Sequence, residues 1–125
     1  MIRKPWLTEI PVSYEQLEIM PDVLSGLASG DEKLGSNKVS QLVNRVRAKG
    51  LKSKAETNLQ VIASYEESGY DVLGVDTELG LSKGTRTFFI SAVETALSQR
   101  EQNQEGFTAL KGLAAALHAS QKSDS

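Results

Sequence analysis

Between Leu81 and Leu117 the apolar residues recur at spacings of three, four and seven, and this helical period constrains the chain more than any other feature. Leu81, Phe88, Phe89, Ala92, Val93, Ala96 and Leu97 share one face of a helix predicted from about Ser82 to Gln99, with Ser82 as its N-cap. Phe107, Leu110, Leu113, Ala114 and Leu117 repeat the pattern after the short polar linker EQNQEG. A linker of that length predicts an antiparallel helical hairpin over Ser82 to Ser120.

Upstream, Val39, Leu42, Val43 and Val46 mark a helix from about Asn37 to Lys49 that Gly50 is expected to end. Ala55, Leu59, Ile62 and Tyr65 mark another, ended near Gly69. Ser13 and Gln16 have the spacing of a capping box and open a helix carrying Leu17, Met20, Val23, Leu24 and Leu27. Pro21 lacks the N–H that the preceding turn needs, so it should kink or restart that helix.

Two stretches break the helical period. Leu73, Val75, Thr77 and Leu79 alternate with Gly74, Asp76 and Glu78, as side chains do on a strand. Trp6, Thr8, Ile10 and Val12 alternate in the same way, with Pro11 confining that piece to a sheet edge. Either they pair as a short β-ribbon or they are two extended connectors. The expected fold is mainly α: one helical domain of five or six helices over residues 13–120 with a C-terminal antiparallel hairpin, joined by one short β-ribbon if the two alternating stretches pair. An extended arm over residues 1–12 precedes it and a disordered tail over 121–125 follows.

Composition narrows the chemistry. With 125 residues, 39% of them apolar and 24% charged, the chain suits one core and a folded, water-exposed surface. No apolar run is long enough to span a bilayer, and the start MIRKPWLTEIPV lacks the apolar region of a secretion signal, so no membrane role and a cytoplasmic location are expected. There is no cysteine and one histidine, His118, which removes thiolate chemistry, disulfides and the usual zinc sites. A serine nucleophile would have only that imidazole as its base. The chain is therefore expected to be non-enzymatic and to use no cofactor or metal.

Charge is segregated along the sequence. Between Lys33 and Ala55 stand seven bases and no acid, while six acids and no base occupy Pro5 to Glu32 and again Glu56 to Ser82. Such a block has two outlets. Phosphates neutralise it, with Lys38, Arg45, Arg47, Lys49, Lys52 and Lys54 as the nucleic-acid contacts, or the flanking acidic blocks fold back onto it. No aromatic residue is interleaved with these bases to stack on a nucleobase.

The stretch ELGLSKGTRTFF, residues 78–89, has the look of the turn and second helix of a helix-turn-helix. That alignment puts Asp76 at the position of close helix approach and Arg86 at the inward position, where a methyl group and an apolar side chain belong, so a glycine turn before a helix is the better reading. A strand followed by two helices is also the order of ribbon-helix-helix proteins. Here Gly74, Asp76 and Glu78 would face the groove, and two carboxylates oppose DNA there, although pairing of strands between two chains stays open. GDEKLGSNK, residues 30–38, has two glycines five apart but no lysine after the second and carries Asp31 and Glu32 where phosphates would sit, which rejects a phosphate-binding loop. Glu66 and Glu67 are adjacent, point to different faces, and form no acid/base pair by local geometry.

Trp6, Phe88 and Phe89 are the candidate partner-binding residues. The ring of Trp6 either closes the core or anchors a partner, and adjacent Phe88 and Phe89 subtend too wide an arc for one seam, so one is expected to face the core and the other a neighbouring helix or a second subunit. Two functions follow. The first is a small regulatory or accessory nucleic-acid-binding protein, acting as a homodimer through its basic block. The alternative is a helical protein-protein adaptor or complex subunit using an exposed apolar helix face, with no nucleic-acid role.

Overall fold

The computed structural model describes residues 7–71, 76–102, 104 and 106–123. The order of elements is β1 (Leu7–Ser13), α1 (Tyr14–Ser29), α2 (Lys38–Glu67), β2 (Asp76–Ser82), α3 (Lys83–Ser98) and α4 (Phe107–Ser123). The chain is thus two successive strand-helix-helix units whose strands pair with each other. It is mainly helical, as the periodicity requires, with four helices rather than five or six.

The breaks expected at Gly50 and Pro21 do not occur. The segments expected at 37–49 and 55–69 are one helix of 30 residues that runs straight through Gly50. A glycine inside a helix costs about 1 kcal/mol relative to alanine, which is less than what tertiary burial on both sides of it returns. Ala48, Leu51, Ala55 and Ile62 lie on one buried line, at spacings of three, four and seven, and that line passes Gly50 without a break in register. Asn37 and Ser40 form the capping box that starts the helix, the Asn37 Oδ1 accepting from the Ser40 amide at 2.9 Å and the Ser40 Oγ accepting from the Asn37 amide at 3.1 Å. Likewise α1 continues through Pro21 instead of restarting there. It opens on the expected Ser13–Gln16 box, with bonds of 3.2 and 2.9 Å, and closes on Gly30, whose φ of 89° is the left-handed cap that glycine adopts at least cost.

The two alternating stretches form a ribbon. β1 pairs antiparallel with β2 in the register Thr8↔Leu81, Ile10↔Leu79 and Val12↔Thr77. Ile10, Val12, Leu79 and Leu81 are buried, so one face of the ribbon closes the core. Pro11 sits opposite Glu78, in a ribbon where each strand is an edge and no third strand asks for its missing N–H. Residues 7–13 are extended, as strand β1, and bring Ile10 and Val12 into the core; Trp6, Leu73 and Val75 lie outside the described residues.

α2 packs along α1, and α4 packs on α3, on α1 and on β1. Arg45, near the start of α2, donates to the carbonyl of Ala28 near the end of α1, while Glu66 at the far end of α2 acts on Tyr14 at the start of α1, so α1 and α2 run antiparallel. A single cluster joins all elements, with Phe89, Leu17, Leu24, Leu51, Leu110, Leu113 and Leu117 among its fully enclosed members. Arg86 is buried with them at 2% exposure. The segment from Asp76 to Phe89 is strand, Ser82 cap and helix, the Ser82 Oγ accepting from the Thr85 amide at 3.4 Å. No helix precedes α3 at that point, which removes the helix-turn-helix.

Candidate interaction face on α2

α2 is apolar on two sides. Opposite the buried line Ala48, Leu51, Ala55 and Ile62, a second line of large apolar side chains faces outward: Val39 (71% exposed), Leu42 (62%), Val46 (69%) and Val43, followed two turns beyond Gly50 and Ser53 by Val61 and Tyr65. Val39, Leu42, Val43 and Val46 stand at i, i+3, i+4 and i+7, the spacing of a seam that meets another helix. Between its two apolar ends the strip is made of small residues, Gly50, Ser53 and Thr57, all exposed. A methyl group placed on Gly50 meets nothing within 4 Å.

An open groove with a volume of about 880 Å³ runs beside the strip, between the first half of α2 and α3, lined by Leu34, Val39, Val43, Arg47 and Phe88 among others. Leu42 lines a second, smaller groove on the other side, with Lys38 and Arg45 on its rim. Scattered single apolar residues on a surface need no explanation, whereas a contiguous row with polar rims marks a docking surface.

The six candidate phosphate ligands divide into two groups. Arg45, Arg47 and Lys54 hold the fold together. The Arg45 Nε donates to the Ala28 carbonyl at 3.3 Å, placing a guanidinium at the negative end of α1. Arg47 donates to the Asn44 Oδ1 at 3.3 Å and lies over Gly84, where an added Cβ would come within 2.6 Å of its Nη2. The Lys54 Nζ donates to the Gly80 carbonyl in β2 at 2.7 Å. Lys38, Lys49 and Lys52 form the other group, on one flank of the outward strip, with Lys38 and Lys49 exposed and Lys52 half-buried. Among the described residues no carboxylate is within ion-pair distance of any of the six; the bonds that Arg45, Arg47 and Lys54 make go to backbone and amide oxygens.

The structure places Phe88 and Phe89 in the core, at 3% and 0% exposure. α3 is covered by β2, α1, α2 and α4 at once, which accommodates both rings of the wide arc inside one chain. Phe88 reaches only the wall of the groove beside α2. The exposed apolar strip is therefore on α2, not on the α3 face that carries Phe88 and Phe89. Periodicity identified Val39, Leu42, Val43 and Val46 as a helix face, and the basic residues among them were the signal that this face meets water. The outward side of the ribbon carries Glu9, Pro11, Glu78 and Gly80, with no base in either strand.

Elsewhere the polar chemistry is sparse. The one histidine, His118, bonds through Nε2 to the Glu94 carboxylate at 2.6 Å, joining α4 to α3 at a half-exposed surface. Among the described residues no three His, Asp or Glu side chains gather closely enough to hold a metal ion, and no helix is long and apolar enough to cross a membrane. Compared with known proteins, the chain matches no family model, no curated protein and no solved structure.

Proposed function

We propose that this chain is a non-enzymatic interaction subunit that docks a protein partner on the outward face of α2. The observation that carries this reading is the row Val39, Leu42, Val43 and Val46, exposed on a well-capped helix whose opposite side already fills the core. Fully burying a valine or leucine side chain is worth roughly 1.5–3 kcal/mol, so four of them on one strip supply the centre of an interface. The lysines beside the strip add orientation and partner choice more than affinity. Valines at the centre of the same face oppose a purely phosphate-directed surface, which is built from bases and polar groups.

A nucleic-acid role is the second reading, and what supports it is Lys38, Lys49 and Lys52, which meet no carboxylate among the described residues. The two differ in which side chains matter. A photoreactive residue at Val46 is expected to form a protein adduct of discrete mass in cells, which disappears with Leu42→Asp and is not formed from Lys111, an exposed position on α4. Adducts to nucleic acid, or none at Val46, overturn the docking reading. Binding of heparin that is lost when Lys38, Lys49 and Lys52 become alanine and unchanged in Leu42→Asp would establish the second one.

A further inference from the structure

Resting on the docking reading above, we infer that the partner of α2 is a second copy of this chain, with the two α2 helices paired antiparallel across their outward faces. Charge complementarity in a defined register supports this pairing. On a 3.6-residue repeat, Lys38, Lys49, Glu56 and Glu67 fall on the same flank of the outward strip, the bases in its first half and the acids in its second. In an antiparallel pair, a flank meets the same flank of the other helix running the opposite way.

Sliding the helices until Val43 faces Val61 of the other copy also sets Val39 against Tyr65. One residue's offset in that register sets Lys38 against Glu67 and Lys49 against Glu56, twice each by symmetry. All of these side chains are exposed, and none of the four charged ones has an ion-pair partner among the described residues. In a parallel pair this flank would meet the opposite flank of the other helix, so its bases and acids would not face one another.

The middle of the strip agrees with this arrangement independently. The two-fold axis falls beside Ser53, between Gly50 and Thr57, where the strip has no large side chain and Gly50 has open space around it. Small residues at a crossing point let two helix backbones approach closely, and within one chain nothing else uses the missing side chain of Gly50. The isologous contact joins two copies of the core through a pair of helices each about 45 Å long.

Engineered thiols test it, because the chain has no cysteine of its own. Light scattering on the full chain is expected to move from the 13.5 kDa of one copy toward twice that mass with concentration. Ser53→Cys should then form an intermolecular disulfide on mild oxidation. Val39→Cys alone should not, since its two copies stand about 39 Å apart in this register, but Val39→Cys mixed with Tyr65→Cys should. Lys49→Glu is expected to raise the dimer dissociation constant at least threefold, and Lys49→Glu with Glu56→Lys should restore it. Rescue by the double reversal is an outcome that misfolding of the single variant cannot imitate.

A chain that stays monomeric, or one that cross-links equally well through Val39→Cys alone, overturns the antiparallel self-pairing. If Ser53→Cys fails to cross-link while the photoreactive residue at Val46 still captures a different protein, the self-pairing falls and the docking reading stands. If neither captures anything, both fall.

Discussion

The Lys54 ammonium donates to the carbonyl of Gly80 at 2.7 Å, across 26 residues of sequence, and so ties the middle of α2 to the strand that leads into α3. Both strand-helix-helix units meet at this bond. A base from the segregated block is here a structural donor, and its partner is a backbone carbonyl of an edge strand.

Replacing Lys54 by methionine keeps most of the stem and removes the donor. A hydrogen bond from a charged group in an exposed setting is worth about 1 kcal/mol, so Lys54→Met should lower the unfolding free energy by about that amount in urea. Lys111→Met, on the exposed side of α4, should change it by less than about 0.5 kcal/mol. Equal effects at the two positions would show that the bond to Gly80 contributes nothing.

The two apolar sides of α2 should separate cleanly in mutagenesis. Leu51 is 1% exposed and Leu42 is 62% exposed on the same helix. Leu51→Ala removes buried methylenes and leaves a cavity, costing about 2–5 kcal/mol of fold stability. Leu42→Ala should cost less than about 0.5 kcal/mol in the same urea experiment at low protein concentration, where the outward face is unoccupied. A large loss at Leu42 would mean that this face packs inside its own chain.

Those two leucines also show how far the sequence could be read. Spacing of three, four and seven locates a helix and its apolar sides, and α1, α3, α4 and both caps at Ser13 and Ser82 follow from local pattern alone. Periodicity does not say which of two apolar lines faces inward when a helix has both, and α2 has Ala48 to Ile62 on one side and Val39 to Val46 on the other. That choice depends on α1 lying along the first line, a contact set by tertiary packing. The same non-local burial carried the helix through Gly50 and Pro21, where residue propensity alone predicts breaks. Adjacency alone predicts that Phe88 and Phe89 face different neighbours, and it does not say that both neighbours lie inside one chain, because the number of elements packed on α3 is not written in α3. The ribbon was visible as alternation at both of its strands, while its register depended on pairing over about 70 residues of intervening chain, given by Ile10↔Leu79.

The approach of α2 to the start of α1 has a spectroscopic signature. The Tyr14 phenol is held above its ordinary value of 10.0, first by the Glu18 carboxylate one turn on, then by desolvation, then by Glu66 at the end of α2 and by Glu15. A negative neighbour disfavours the phenolate, so removing it makes proton loss easier and the pKa falls. Glu18→Gln should lower the Tyr14 value toward 10.0, and Glu66→Gln should lower it by a smaller step, each followed through the ring carbon shift of assigned Tyr14 in an alkaline titration. No response to Glu66→Gln would place the end of α2 away from α1 and undo the antiparallel packing of the two helices.

Gly50 is the residue at which folding and docking ask for opposite things. Inside one chain its missing side chain serves nothing, since an added methyl group finds 4 Å of open space on an exposed helical surface. Alanine there removes backbone entropy from the unfolded chain, and Gly50→Ala should therefore raise the unfolding free energy by about 0.5–1 kcal/mol, measured in urea at low concentration. At the crossing point of two α2 helices the same methyl group would enter the space that the opposing backbone occupies, so association should weaken while each copy becomes more stable. A variant more stable and equally able to self-associate would remove close backbone approach from the interface. One less stable as a monomer would show that α2 is not a regular helix at this position.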